Sequence, residues 1–445
     1  MTNKRVSTVE TDISMLTDWF RSGIKPAAEL GIGTEHEQFL LNTKDYKRLG
    51  YRSLPGIRQV MHEMSSRGWN PIEEAGNIIA LEKYGASITI EPAGQFELSG
   101  RIVSTVHETY RETLEHNRML DQMGAELGFM RLPMGFDPFW RREDLDWMPK
   151  ERYRFMRNWM PRKGNLGLDM MTRTTSIQVN LDFVSEEDMV RKMQTAQAFQ
   201  PVVTALFANS PFKEMKPNGY LSYRSHVWED TDPDRCGFLP FVFEPDFGFE
   251  RYVEYLLDVP MYFILRAGKY YPSEGITFRE FLKGNYEPEQ VMEDWEVHVS
   301  TVFPDVRLKR YIEIRGADSG SPKMIAALAA LWTGLLYDKQ ALDSAHSLAM
   351  SLGVEVIQGL RKEAPRKGLR ASYGEVALHE LAASVVRIAD GGLARRAERM
   401  GIETEQKYLN PLRGILARGT TTAEMLLEKY MRNLDLDLFR LILNT

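Results

Sequence analysis

Strand-forming patterns crowd into the first 320 residues of this chain, and helical patterns take over from Ser321 to the end. That segregation argues for an α+β fold, because a wound parallel sheet needs strands and crossover helices to alternate along the chain. The expected organisation is one α+β core over residues 1–320, with a helical C-terminal region over 321–445 packed on it. Within the core, residues 8–30 read as a helix, 33–41 as a strand and 55–69 as a helix. A strand begins near Ala86, breaks at the Pro-Ala-Gly of 92–94 and resumes to Leu98. Residues 103–127 make a long helical pattern closed by Gly128, followed by a strand over 174–183 and a helix over 186–209. The stretches 132–172 and 210–248 are too rich in proline, glycine and aromatic residues for regular elements, and read as binding loops or lids.

Composition removes several classes. With 43% hydrophobic and 11% aromatic residues among 445, the chain can bury a core and is no disordered tail. Cys236 is the single cysteine, which excludes an intrachain disulfide, a Cys-x-x-Cys pair and a multi-cysteine metal site. Such usage fits a reducing compartment, and the polar start MTNKRVSTVETD lacks a secretory core, so the expectation is cytoplasmic. The longest apolar run, residues 324–337, is shorter than the ~20 residues of a membrane span and reads as a core helix. A net charge of −6 provides no basic footprint for nucleic acid, and the clusters Arg361-Lys362 and Arg395-Arg396 read as solvated helix faces.

The chemistry is concentrated in four strand-like stretches. Alternate residues of a strand share a face, so Glu35 and Glu37 point the same way. By the same parity Thr89 and Glu91 oppose Ile88 and Ile90, and Gln95, Glu97 and Ser99 oppose Phe96 and Leu98. Ser176, Gln178, Asn180 and Asp182 oppose Ile177, Val179 and Leu181, while Tyr311, Glu313 and Arg315 oppose Ile312 and Ile314. Any one of these is an ordinary half-exposed strand. Together their polar faces are nearly all carboxylates and amides, with one arginine. Facing one cavity, each carboxylate pair at ~4 Å would repel by about 4 kcal/mol at an effective dielectric of ~20. Protonation or cations must relieve this, and hard oxygen donors favour Mg²⁺ or Mn²⁺, which bridge carboxylates to nucleotide phosphates. An arginine alongside suits a transferred phosphoryl group. No P-loop, His-Glu-x-x-His or Gly-x-Ser-x-Gly motif is present. His36 has the opposite parity and reads as packed, Cys236 as structural, and Arg224 as either a carboxylate clamp or a surface ion pair.

The segments GTEHEQF (33–39), ITIEPAGQFELSG (88–100), MPKERYRFMRNWMP (148–161) and GLDMMTRTTSIQVNLDF (167–183) resemble the plant and proteobacterial type of glutamate–cysteine ligase. So do ALFANSPFKEMKPNGYLSYRSHVW (205–228), LDVPMYF (257–263) and RLKRYIEIRGAD (307–318), in order and with similar spacing. The resemblance implies a glutamine-synthetase-like core whose curved antiparallel sheet forms a funnel-shaped site, with a C-terminal helical extension. It implies ATP-dependent ligation of the γ-carboxylate of glutamate to cysteine through γ-glutamyl phosphate, the first step of glutathione biosynthesis. Carried onto this chain, it assigns Glu35, Glu37, Glu91, Glu97, Gln178 and Glu313 to Mg²⁺ (or Mn²⁺), with ATP as co-substrate. Arg315, Glu35 and Glu313 would be catalytic, and Arg224 with Arg157 would bind substrate. The expected partners are glutamate, cysteine and ATP, with neither nucleic acid nor membrane, in a monomer or homodimer. Ala93 stands where plant members commonly carry a second glycine, and the cysteine pairs of the plant enzymes are missing. A glutamate ligase with another acceptor amine, a metal-dependent ATP phosphohydrolase and a non-catalytic sensor are the alternatives.

Overall fold

The computed structural model describes residues 9–284, 292–432 and 437–443. Its centre is a nine-stranded sheet of β1 (Ile32–Asn42), β2 (Asn70–Glu74), β3 (Asn77–Lys83), β4 (Ala86–Ile90), β5 (Phe96–Ser99), β6 (Phe129–Leu132), β7 (Ser176–Leu181), β8 (Val306–Leu308) and β9 (Ile312–Asp318). The strand order is β8-β9-β7-β1-β5-β4-β3-β2, with β6 paired to the C-terminal half of β1. Every pairing in it is antiparallel. The register aligns the alternations read from sequence: Glu35 lies opposite Gln178, Glu37 opposite Glu97, Thr89 opposite Glu97 and Glu313 opposite Asn180.

The other face is apolar. Ile177, Val179, Leu181, Ile312 and Ile314 are buried in one core with the helix Pro322–Leu336, whose residues from Ile325 to Leu336 are all buried. The helices after 321 thus share a core with the sheet, and the apolar run expected to be a core helix is one. Among the described residues no helix is long and apolar enough to cross a membrane. The long helix Val106–Leu127 starts on a Thr105–Glu108 capping box and stops at Gly128, whose φ of 85° is the left-handed cap.

Several elements differ from expectation. The interruption at 92–94 is a hairpin turn: β4 and β5 pair with each other, Ile90 opposite Phe96, around Gly94 at φ 78°. The hairpin β2–β3 has no sequence expectation, because β2 is almost wholly exposed and carries no apolar alternation. The first helix, Val9–Arg21, stops well before residue 30, where Gly23 packs so closely on the Arg310 backbone that a Cβ would collide. The stretch 132–172 contains helices Arg152–Trp159 and Gly167–Arg173, too short to show periodicity. The helix expected over 186–209 divides at Phe199 into Glu186–Ala198 and Gln200–Leu206, since Pro201 has no N–H to continue the ladder. Nor are the basic clusters wholly solvated faces: Lys362 is exposed, but the three arginines are paired. Arg361 pairs with Asp305, Arg395 with Asp338, and Arg396, 4% exposed, with Glu405.

Candidate active site

The polar face of β7-β1-β5 presents the expected carboxylates as a repelling group. Glu37 Oε2 accepts from the Ser176 backbone N–H at 2.5 Å and from Ser176 Oγ at 2.9 Å. Glu35 Oε1 accepts from Asn180 Nδ2 at 2.7 Å, and Glu97 Oε1 from Ser99 Oγ at 3.0 Å. Burial, then the neighbouring Glu91, Glu35 and Glu37 charges, pushes the Glu97 carboxyl well above the usual range. Burial and Glu91 push Glu37 up to about 7, against the pull of Arg224 and Ser176. Burial and Glu313 raise Glu35 as well.

Glu313 is different. Burial alone would raise it, but Arg307, Lys309 and Arg315 outweigh that and hold it well below the carboxylate range. Arg307 lies directly opposite it across the β8–β9 hairpin. Its Nε donates to Glu313 Oε2 at 2.6 Å, Lys309 Nζ donates to Oε1 at 2.9 Å, and Arg315 Nη1 donates to Oε2 at 2.8 Å. Both oxygens accept from cationic side chains, so Glu313 draws Arg307, Lys309 and Arg315 together at this point of the sheet.

Arg315 sits where the β9–β7 register shifts between Ile314 and Ala317. A bulge adds a residue and re-aims its side chain. Here it turns Arg315 Nη1 onto Gln178 Oε1 at 2.6 Å as well as onto Glu313. Beyond the bulge the parity is exchanged, so Asp318 lies opposite Ser176. Asp318 accepts from Asn209 N–H, Ser210 Oγ and Ser222 Oγ at 2.6 to 2.9 Å, tying the segment before the helix Tyr223–Glu229 to the sheet. That helix carries Arg224, 4% exposed, whose Nη2 donates to the Arg315 carbonyl at 2.8 Å.

These groups border a cavity of about 230 Å³, with Glu37, Glu91, Gln178, Arg224 and Arg315 in its wall. Lys150, Arg152 and Tyr153 close one side, while Trp228 and Phe303, with ring centroids 6.1 Å apart, close another. Glu35, Glu97 and Glu313 do not line the cavity. Arg157 is absent from it: the residue is exposed and stacks on Trp147, 4.5 Å from the ring centroid. On the short helix Arg152–Trp159 the positions that line the cavity are 152, 153 and 156, so the structure does not bring Arg157 together with the other expected site residues. Lys150 is held by the Ile90 carbonyl at 3.0 Å and Arg152 lies nearby; neither was singled out, although both lie in the motif 148–161. Arg307 and Lys309 were missed too, since only the hairpin register reveals that they face Glu313.

His36 is buried at 3% exposure with its ring against His116, as its parity required. Burial pushes the Cys236 thiol up, away from nucleophilic use. For the divalent cation the donor chemistry fits: Glu35, Glu37, Glu91 and Glu97 are hard oxygen donors whose mutual repulsion a cation would relieve. Among the described residues, however, no three carboxylate, imidazole or thiol side chains converge closely enough to form a ready-made ligand shell.

A sequence model of glutamate–cysteine ligase family 2 matches residues 31–437. Among curated relatives, the chloroplastic glutamate–cysteine ligase A of Oryza sativa subsp. indica is 45% identical over 420 residues, covering 93% of this chain and 84% of its own. The chloroplastic glutamate–cysteine ligase of Brassica juncea is 46% identical, covering 93% and 80%. Among solved structures, a glutamate–cysteine ligase of Francisella tularensis in complex with AMP aligns with a TM-score of 0.50 at 14% identity, covering 93% of this chain and 88% of that one. A bifunctional glutathione synthetase from Pasteurella multocida aligns with a TM-score of 0.52 at 12% identity; it covers 97% of this chain, which spans about half (53%) of that longer one. These two likenesses establish the expected α+β, glutamine-synthetase-like fold. The expected cytoplasmic location is corrected, because the curated relatives are named chloroplastic and point to a plastid. Sequence and fold agree that the chain belongs to glutamate–cysteine ligase family 2, enzymes that use ATP to join glutamate to cysteine as γ-glutamylcysteine, the first step of glutathione synthesis.

Proposed function

We propose that the 230 Å³ cavity is where the γ-carboxylate of glutamate meets the γ-phosphate of ATP, with Arg315 as the group that stabilises the transferred phosphoryl. The observation that carries this is the bulge at Ile314/Ala317, which holds a guanidinium at the cavity wall between Gln178 and Glu313. Fixed in advance, that charge costs no reorganisation when negative charge develops on the phosphoryl oxygens. Arg224, buried and adjoining Arg315, is the clamp for a substrate carboxylate. Glu35, Glu37, Glu91 and Glu97 are the residues that would hold Mg²⁺ or Mn²⁺, which when bound would neutralise the repulsion between two anionic reactants. Glu313 orients Arg315 rather than binding metal.

In the first step a γ-carboxylate oxygen attacks the γ-phosphorus and ADP departs, leaving an acyl phosphate. The amine of cysteine then attacks the acyl carbon and phosphate leaves. Trp228, Phe303, Met156 and Met170 shield that reactive anhydride from water. The test is to supply glutamate, cysteine and Mg-ATP to the parent and to Arg315→Ala, and to identify products by mass. The parent is expected to form γ-glutamylcysteine and the variant to lose about 10²–10³-fold in kcat. Near-parent turnover by Arg315→Ala would overturn the assignment.

A further inference from the structure

Arg315 is held by its backbone as well as by its side chain. Its N–H donates to the carbonyl of Asp305 at 3.1 Å, and its own carbonyl accepts from Arg224 at 2.8 Å. Gly316, the other bulged residue, packs so closely on the buried Gln200 that a Cβ would strike Oε1. Asp305 is therefore the support on which the bulge rests, and its carboxylate is gripped from outside the sheet. Arg361, on the helix Val354–Lys367 of the C-terminal region, donates Nε to Asp305 Oδ2 at 2.6 Å and Nη2 to Oδ1 at 3.3 Å. The same guanidinium lies 3.8 Å from Glu229, on the helix that carries Arg224. Arg361 thus touches both segments that bring arginines to the cavity, while lying outside the cavity wall itself.

We infer that Arg361 is a positioning residue for the reaction: by holding the Asp305 carboxylate it keeps that anion from competing for Arg315 and Arg224, and it fixes the bulge that aims Arg315. The inference rests on the role proposed for Arg315. Asp305 already attracts Arg224, and Asp305, Arg224, Arg315 and Arg361 share one small recess behind Trp228. Without Arg361 the freed carboxylate would have two guanidinium groups within reach, both required for substrate. A bidentate arginine satisfies both oxygens at once; a lysine supplies the charge without the fork.

The test compares kcat, KM and thermal midpoint for Arg361→Ala, Arg361→Lys, Asp305→Asn and the double variant Arg361→Ala/Asp305→Asn. Lys362→Ala, an exposed neighbour, serves as control. Displacing a catalytic group by about 1 Å can cost ~10²-fold, so Arg361→Ala is expected to lose about 10- to 100-fold in kcat. KM for ATP should stay within about 3-fold, while KM for glutamate should rise, because the freed carboxylate also draws on Arg224. Arg361→Lys should recover part of the loss. The deciding result is the double variant: removing the competing carboxylate should restore at least about 5-fold of the lost kcat, which a merely structural contact would not do. Unchanged kcat in Arg361→Ala, or a loss that Asp305→Asn fails to relieve whatever the thermal midpoint, would overturn the inference. Arg315→Ala, run in parallel, separates the two readings. If it is inactive while Arg361→Ala is fully active, only the positioning role fails; if it is itself active, the underlying assignment fails.

Discussion

Replacing Glu313 by glutamine separates two roles that a carboxylate in this position could serve. Glu313 is 0% exposed; Arg307 Nε, Arg315 Nη1 and Lys309 Nζ donate to it at 2.6, 2.8 and 2.9 Å, and Arg307 Nη2 lies 2.6 Å from the same carboxylate. Glutamine preserves the shape but has one acceptor oxygen, and it turns an NH₂ group toward at least one cation. Three positive side chains are left without their anion in a buried setting, where removing one partner of an ion pair costs about 3–5 kcal/mol. Against a total stability of about 5–15 kcal/mol that is a large fraction, readable as a lowered denaturant midpoint at unchanged m-value. Activity should fall with it, because Arg315 loses one of the two acceptors that aim it. The Mg²⁺ concentration giving half-maximal rate should stay within about 2-fold, since a brace does not bind the cation. Unfolding by urea and a Mg²⁺ titration of initial rates decide the matter. Unchanged stability together with a markedly higher Mg²⁺ requirement would refute this reasoning and restore Glu313 to the metal shell.

Chelation should abolish turnover and added Mg²⁺ restore it, with Glu97→Gln needing about 10-fold more Mg²⁺ or worse in a rate titration; in the chelated protein the same variant should unfold at a higher temperature than the parent, because burial and the neighbouring Glu91, Glu35 and Glu37 all oppose charge at Glu97. Gly316→Ala should lower kcat, with binding of ATP less affected in equilibrium titrations, because its Cβ would meet the Oε1 of the buried Gln200 beside the bulge. His298, buried with Nε2 on the Leu256 carbonyl at 2.8 Å, has its pKa lowered to about 3 by burial and, in smaller part, by Arg235. The folded state therefore excludes a proton that the unfolded chain binds below about 6.5, so stability is full above that pH and falls as pH drops. By pH 5 the loss is about 2 kcal/mol, and His298→Gln should flatten the pH dependence of the urea midpoint by that amount; an equally steep profile in the variant would rule the buried imidazole out as its source.

The faces of the strands were legible from local sequence because a strand's side-chain period is two whatever lies beside it. Glu35, Glu37, Glu97 and Gln178 could thus be placed together, His36 on the reverse face, and the ends of the helix Val106–Leu127 read from Thr105 and Gly128. The motif pattern likewise carried the family and its reaction. What a charge does depends instead on which strand or helix is brought beside it, and no local period encodes that. Glu313 is paired with cations because β8 folds back with Arg307 opposite it, and Arg315 was aimed by a bulge that one exchanged parity after residue 316 reveals only in the register. One helical turn decided that Arg152 faces the cavity while Arg157 lies on Trp147 outside. Arg361, which reads as a solvated residue of a distant helix, meets Asp305 from 56 positions away. Sequence alone determined which residues face together and what chemistry they suit; tertiary structure decided their partners, because Coulomb energy depends on distance in space and not along the chain.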